Sequence, residues 1–110
     1  ATAFVCALGD DAGGALARQL ARADGIDLRA EASDQPTGTA GIFVDARGRN
    51  SIVVGAGANG TLGVAQFAAD PALLGGTRVL LAQLESPVET IEAALAAMPV
   101  PRMMSYQLAD

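Results

Sequence analysis

The sequence predicts an α/β fold, a central and mostly parallel sheet with flanking helices, to which a small β hairpin is added. Three features carry the expectation. An apolar run near the start leads straight into a capped helix, two short strands joined by a glycine-containing turn occupy the middle, and a second strand-then-helix unit begins at Arg78.

Residues 3–8 (AFVCAL) form a short continuous apolar run, the pattern of a strand covered on both faces. Gly9-Asp10-Asp11 follows, and an aspartate there caps the free N–H groups of a helix start. The helix is expected from about Ala12 to Ala23, with Leu16, Leu20 and Ala23 on one face and Arg18 and Arg22 towards solvent. Gly25 ends it as the left-handed residue past the last turn. A strand followed by a helix calls for a crossover to a parallel neighbour.

Gln35-Pro36-Thr37-Gly38 is a turn signal. Thr39–Asp45 then reads as a strand, 46–49 as a short connection, and Asn50–Val54 as an antiparallel return. Alternation places Ala40, Ile42 and Val44 on one face and Thr39, Gly41 and Phe43 on the other. Both faces are apolar for a free hairpin. Two explanations stand: the hairpin covers a ligand or another subunit, or it is an ordinary packed β layer.

A short helix is expected around Val64–Ala69, ending near Pro71, and Arg78–Leu84 (RVLLAQL) reads as a second buried strand. Ser86, Pro87 and Glu89 have the spacing of a capping box with proline at the first helical position. Val88, Ile91, Leu95 and Met98 form the stripe of that helix, and Pro99 ends it. Residues 102–108 are compatible with a strand without specifying one.

Composition excludes several chemistries. The chain has 110 residues and a net charge of -5, without histidine and with one cysteine. That removes Ser-His-Asp and Cys-His catalysis and the usual nitrogen–sulfur zinc site. The basic residues are all arginine and scattered, so no nucleic-acid partner is expected. The apolar runs are too short to span a bilayer, and with one cysteine and no signal segment a cytoplasmic location is expected. The sequence already reads as a strand by Ala3, which suggests a chain beginning inside a domain.

Gly55-Ala56-Gly57-Ala58-Asn59-Gly60 matches the G-x-G-x-x-G pattern of dinucleotide sites. The preceding strand belongs to a hairpin, whereas the fingerprint needs the first strand of a parallel unit, so a glycine-rich turn is the stronger reading. Glu85 stands just past the strand 78–84, at the carboxyl end where open α/β sheets bind their ligands. It either accepts hydrogen bonds from hydroxyl groups or is a solvated carboxylate favoured by the following helix dipole. Asp10-Asp11 is weak as a metal pair and suits helix capping better. Cys6 reads as a small core residue.

Taken together and in order, these segments resemble one family. Leu8-Gly9-Asp10-Asp11-Ala12-Gly13-Gly14 with Gly25-Ile26-Asp27 is similar to an early βα unit of the ribokinase-like carbohydrate kinases. Pro36–Asp45 with Gly48-Arg49-Asn50 resembles their lid hairpin, at about 37–54 here. Gly55–Leu62 is similar to the segment after it, and Gln83-Leu84-Glu85-Ser86-Pro87-Val88-Glu89-Thr90 matches the family closely. The likeness is collinear from about residue 2 to 98.

The resemblance implies ATP-dependent phosphorylation of a sugar hydroxyl, ribose at O5 giving ribose 5-phosphate being the first expectation. It implies that Glu85 binds sugar hydroxyls, that Ala40 and Ile42 face the sugar from the lid, and that Val54 lines the same face. The lid would also clasp a second copy into a homodimer. ATP and Mg2+ with a monovalent cation are implied for a full-length enzyme, none of them bound fully by residues 1–110. The family's catalytic base stands in a Gly-Ala-Gly-Asp motif that this sequence lacks, so residues 1–110 form a partial domain expected to be inactive alone. Two alternatives remain: a non-catalytic dimerisation or regulatory remnant of a sugar kinase, and, more remotely, a dinucleotide-binding fragment.

Overall fold

The computed structural model describes residues 1–68, 70–98 and 104–107. They form two compact units, Ala1–Asn59 and Gly60–Asp110. In the first unit, strand β1 (Ala3–Gly9) leads into helix α1 (Ala12–Ala23) and returns as β2 (Asp27–Ser33). β2 lies parallel to β1, with Ala3 opposite Asp27 and Gly9 opposite Ser33. The expected crossover is therefore present, although its second strand lay in a stretch the sequence left unassigned. Its mixed pattern, Asp-Leu-Arg-Ala-Glu-Ala-Ser, hides it, since polar residues interrupt the apolar run used to recognise buried parallel strands.

Helix α1 starts and stops as expected. The Asp11 carboxylate accepts from the Gly14 N–H at 2.8 Å. At the other end the Gly25 N–H donates to the Arg22 carbonyl and the Ile26 N–H to the Ala21 carbonyl, with Gly25 at φ +66°. That is the paired closure of a Schellman motif. The packing face differs from expectation. Gly14 and Ala21 are buried, whereas Leu16 and Leu20 are 54% and 53% exposed. A Cβ on Gly14 would collide with the Gly9 carbonyl oxygen, so the smallest side chains win the inner face because the helix start lies so close to the end of β1. β1 too is covered only towards its carboxyl end, where Ala7 and Leu8 are buried while Phe4 is 53% exposed.

Strands β3 (Thr39–Val44) and β4 (Asn50–Gly55) pair with each other alone among the described strands. The Gly48 N–H donates to the Asp45 carbonyl at 3.0 Å, and the Asp45 N–H to the Arg49 carbonyl at 2.9 Å. With Gly48 at φ +79°, this is a type I turn closed by a left-handed glycine, a common three-residue hairpin loop. The Asp45 carboxylate seals it, accepting from the Arg47 and Arg49 backbone N–H groups and from the Arg49 guanidinium.

The 3-10 turn Gly57–Thr61 follows. In the second unit come α2 (Ala65–Ala68), α3 (Pro71–Gly75), β5 (Leu80–Gln83), α4 (Val88–Ala96) and β6 (Met104–Gln107), with β5 and β6 parallel. The expected short helix is Ala65–Ala68 and stops ahead of Pro71, which itself opens the next helix, its fixed φ suiting a first helical position. The expected capping box of α4 is absent: Pro87 is the N-cap residue, and no side chain caps it. The N–H groups of Thr90 and Ile91 donate to the Pro87 carbonyl, which moves the helix start one residue beyond Ser86. The inner face of α4 is Thr90, Ile91 and Ala94, while the expected stripe member Val88 is 53% exposed. Thr90 earns its buried place by donating its hydroxyl to the Leu62 carbonyl at 2.7 Å. Pro99, expected to end α4, lies outside the described residues; the helix closes at Ala97, whose N–H donates to the Ala93 carbonyl.

Candidate functional site

The pairing register brings three of the four expected site residues together. Ala40 is opposite Val54 and Ile42 is opposite Ile52, so Ala40, Ile42 and Val54 share one face of the hairpin with Ile52 and Val44. On the other face Gly41 is opposite Val53 and Phe43 is opposite Ser51. Both faces are open: Ile42 is 62% exposed and Val54 47%, against 63% for Phe43 and 65% for Val53. Ile52 was missed from sequence, yet a step of two from Val54 along β4 identifies it.

Glu85 belongs to the second unit and is half-buried in the turn that follows β5. Its backbone N–H donates to the Gln83 side-chain oxygen at 2.6 Å, which fixes the chain where strand gives way to turn. The carboxyl end of a parallel strand is thus its location, as expected from the sequence.

At the base of the hairpin the Asp11 carboxylate gathers three donors. One oxygen accepts from the Gly14 N–H and, at 2.7 Å, from the Thr37 hydroxyl; the other accepts from the Thr37 N–H at 2.7 Å. The Thr37 hydroxyl in turn accepts from the Gly9 N–H at 3.1 Å. These bonds to the charged form hold the Asp11 carboxyl below its ordinary value, the helix-cap bond from Gly14 contributing most. Beside them, at the carboxyl ends of β1 and β2, lies an open depression of about 350 Å³ whose polar lining includes Asp10, Asp11, Arg18 and Ser33. Among the described residues no group of three or more metal-ligating side chains is found, and Asp11 serves as the helix cap. Cys6 is half-buried, and burial pushes its thiol up against the opposing effect of Arg18, so it is a poor nucleophile.

The glycine pattern 55–60 does not build a dinucleotide loop. It leaves an antiparallel strand, and its central part is the 3-10 turn, with Gly57 at φ +47° pressed against the Pro36 carbonyl. The missing element is a helix beginning within the glycines with its N–H groups directed at a pyrophosphate.

This arrangement, a parallel βαβ unit carrying an exposed hairpin, agrees with the sequence comparisons. The profile of the pfkB family carbohydrate kinases matches residues 1–108, and the chain belongs to that family. A ribokinase of Schizosaccharomyces pombe is 33% identical over 90 residues, which are 80% of this chain and 28% of that one. The Giardia lamblia ribokinase structure superposes with a TM-score of 0.77 at 31% identity, covering 94% of this chain and 34% of that one. An Arabidopsis thaliana ribokinase solved with ribose and ATP gives 0.60 at 27% identity over 87% of this chain and 34% of its own. Adenosine kinase of Anopheles gambiae shares the fold, with a TM-score of 0.81 at 20% identity over 94% of this chain and 34% of its own. The chain thus spans about a third or less of the length of these relatives. Its fold is a partial ribokinase-like domain.

Proposed function

We propose that this chain supplies the sugar-facing and lid elements of an ATP-dependent sugar kinase whose substrate is a pentose, ribose first. The observation that supports it most is the hairpin, apolar and open on both faces in a chain of carbohydrate-kinase ancestry. Ala40, Ile42 and Val54 would close over the apolar side of the sugar, and Ile52 with them. Glu85 would accept hydrogen bonds from its hydroxyl groups at the end of β5. The face bearing Phe43 and Val53 would meet a second copy of the lid, making a homodimer.

In this reading residues 1–110 bind and orient, and the phosphoryl-transfer chemistry belongs to other parts of the enzyme. ATP with Mg2+ would supply the phosphoryl group there, and a general base there would take the proton of the attacking hydroxyl. Residues 1–110 alone should form no sugar phosphate from ATP above a protein-free blank.

The test is ribose protection against proteolysis in the longest native gene product containing this chain, compared with its Glu85→Ala variant. Protection lost in the variant supports the assignment; equal protection removes Glu85 from the site. The two-sided exposure of the hairpin also favours a second reading, a dimerisation module without catalysis. Self-association with no effect of any pentose would select it.

A further inference from the structure

The twelve residues of β3 and β4 are all exposed, so the hairpin owes its stance to its base rather than to packing along its length. That base is tightly built. The Ala58 N–H donates to the Pro36 carbonyl at 2.8 Å, and a Cβ on Gly38 would stand 2.7 Å from the Asn59 side-chain nitrogen. A Cβ on Gly9 would stand 2.6 Å from the Gln35 carbonyl oxygen, so the end of β1 and the approach to β3 touch backbone to backbone. Across that contact the Asp11 carboxylate and the Thr37 hydroxyl and N–H form a closed set of hydrogen bonds that also includes Gly9 and Gly14. One side chain therefore caps α1 and grips the last residues before the hairpin.

We infer that Asp11 is a positioning residue that sets the direction in which the hairpin leaves the β1–α1–β2 unit, acting through Thr37. The geometry is suited to it. Both carboxylate oxygens are engaged by one residue through two different donors, which fixes the orientation of the Thr37 peptide as a single contact does not. Gly38 follows immediately, and β3 begins at Thr39. The assignment concerns where the hairpin stands and holds whatever ligand it covers.

The test is a spin-label distance measurement on this chain, with Cys6→Ala as background and labels at Arg22→Cys on α1 and Ser51→Cys on β4, both exposed positions. Thr37→Val removes the hydroxyl and leaves the helix cap intact, and Asp11→Ser keeps a cap acceptor too short to grip Thr37. Each should shift and broaden the distance distribution at unchanged helix content, and Asp11→Ser should speed amide exchange at Thr37 several-fold. Thr37→Ser, which keeps the hydroxyl, should restore the parent distribution. An unchanged narrow distribution in Thr37→Val and Asp11→Ser overturns the inference, as does a Thr37→Ser chain as disordered as Thr37→Val.

Discussion

Three aspartate carboxyls are held below their ordinary value by the donors they gather, at a helix cap, along a strand and in a hairpin loop. Asp11 has Gly14 and Thr37, Asp27 has the Arg29 guanidinium, and Asp45 has Arg49 and Arg47. A depressed folded value means that the stabilisation is present above the ordinary aspartate range, about pH 4, and is lost as pH falls through the lower folded value. Acid unfolding followed by circular dichroism should therefore begin only below about pH 4 in the parent, and Asp11→Asn should flatten that dependence. An identical acid transition in the variant would dissociate Asp11 from it. Glycines give a second residue-scale contrast. Gly48 has open space around its α-carbon, so Gly48→Ala should cost only the left-handed backbone, about 1–2 kcal/mol. Gly57→Ala adds a collision with the Pro36 carbonyl and should destabilise clearly more in a thermal melt.

At the scale of elements, what could be read from sequence was whatever local chemistry decides. The α1 boundaries follow from Asp11 and Gly25, and the hairpin follows from alternation around Gly48, so both were legible. Ala40, Ile42 and Val54 fell on one face for the same reason. What escaped was decided by close approach in space. Leu16 and Leu20 gave the stronger sequence stripe, yet Gly14 and Ala21 are the buried residues, and at Gly14 the approach to the end of β1 leaves no room for a side chain. The α4 start was misplaced by one residue: the first intrahelical bonds go to the Pro87 carbonyl, which makes Pro87 the N-cap residue and leaves the Ser86 hydroxyl outside the cap. The grip of Asp11 on Thr37 spans 26 positions and leaves no periodic trace. In α4, Thr90→Val keeps the shape and removes the buried donor to Leu62, and should lower unfolding free energy by about 1–3 kcal/mol in a denaturant titration.

For the whole molecule, the family and the fold were readable because many weak matches occur in order, although each glycine pattern alone was ambiguous. The sugar-site assignment rests on separate supports: the hairpin face is a property of one unit and Glu85 of the other. Under the proposed function the two faces of the hairpin can be probed independently. Phe43→Glu should abolish self-association while sparing sugar protection, and Ile42→Glu should do the reverse; analytical ultracentrifugation and ribose-dependent proteolysis distinguish the two. Loss of both properties from either substitution would show that the hairpin faces are not functionally separate.

The difference in loop closure between the two strand pairs has a consequence for refolding. β3 and β4 meet across a three-residue loop, whereas β1 must wait for α1 to pass before Ala3 reaches Asp27. Hairpins of this kind form in about 1–10 μs, and pairing across longer segments is slower. In refolding from denaturant the hairpin is therefore expected to pair first, showing Ile42 and Phe43 on opposite sides before β1 and β2 have met; stopped-flow amide-exchange labelling that protects β1 and β2 first would reverse that order.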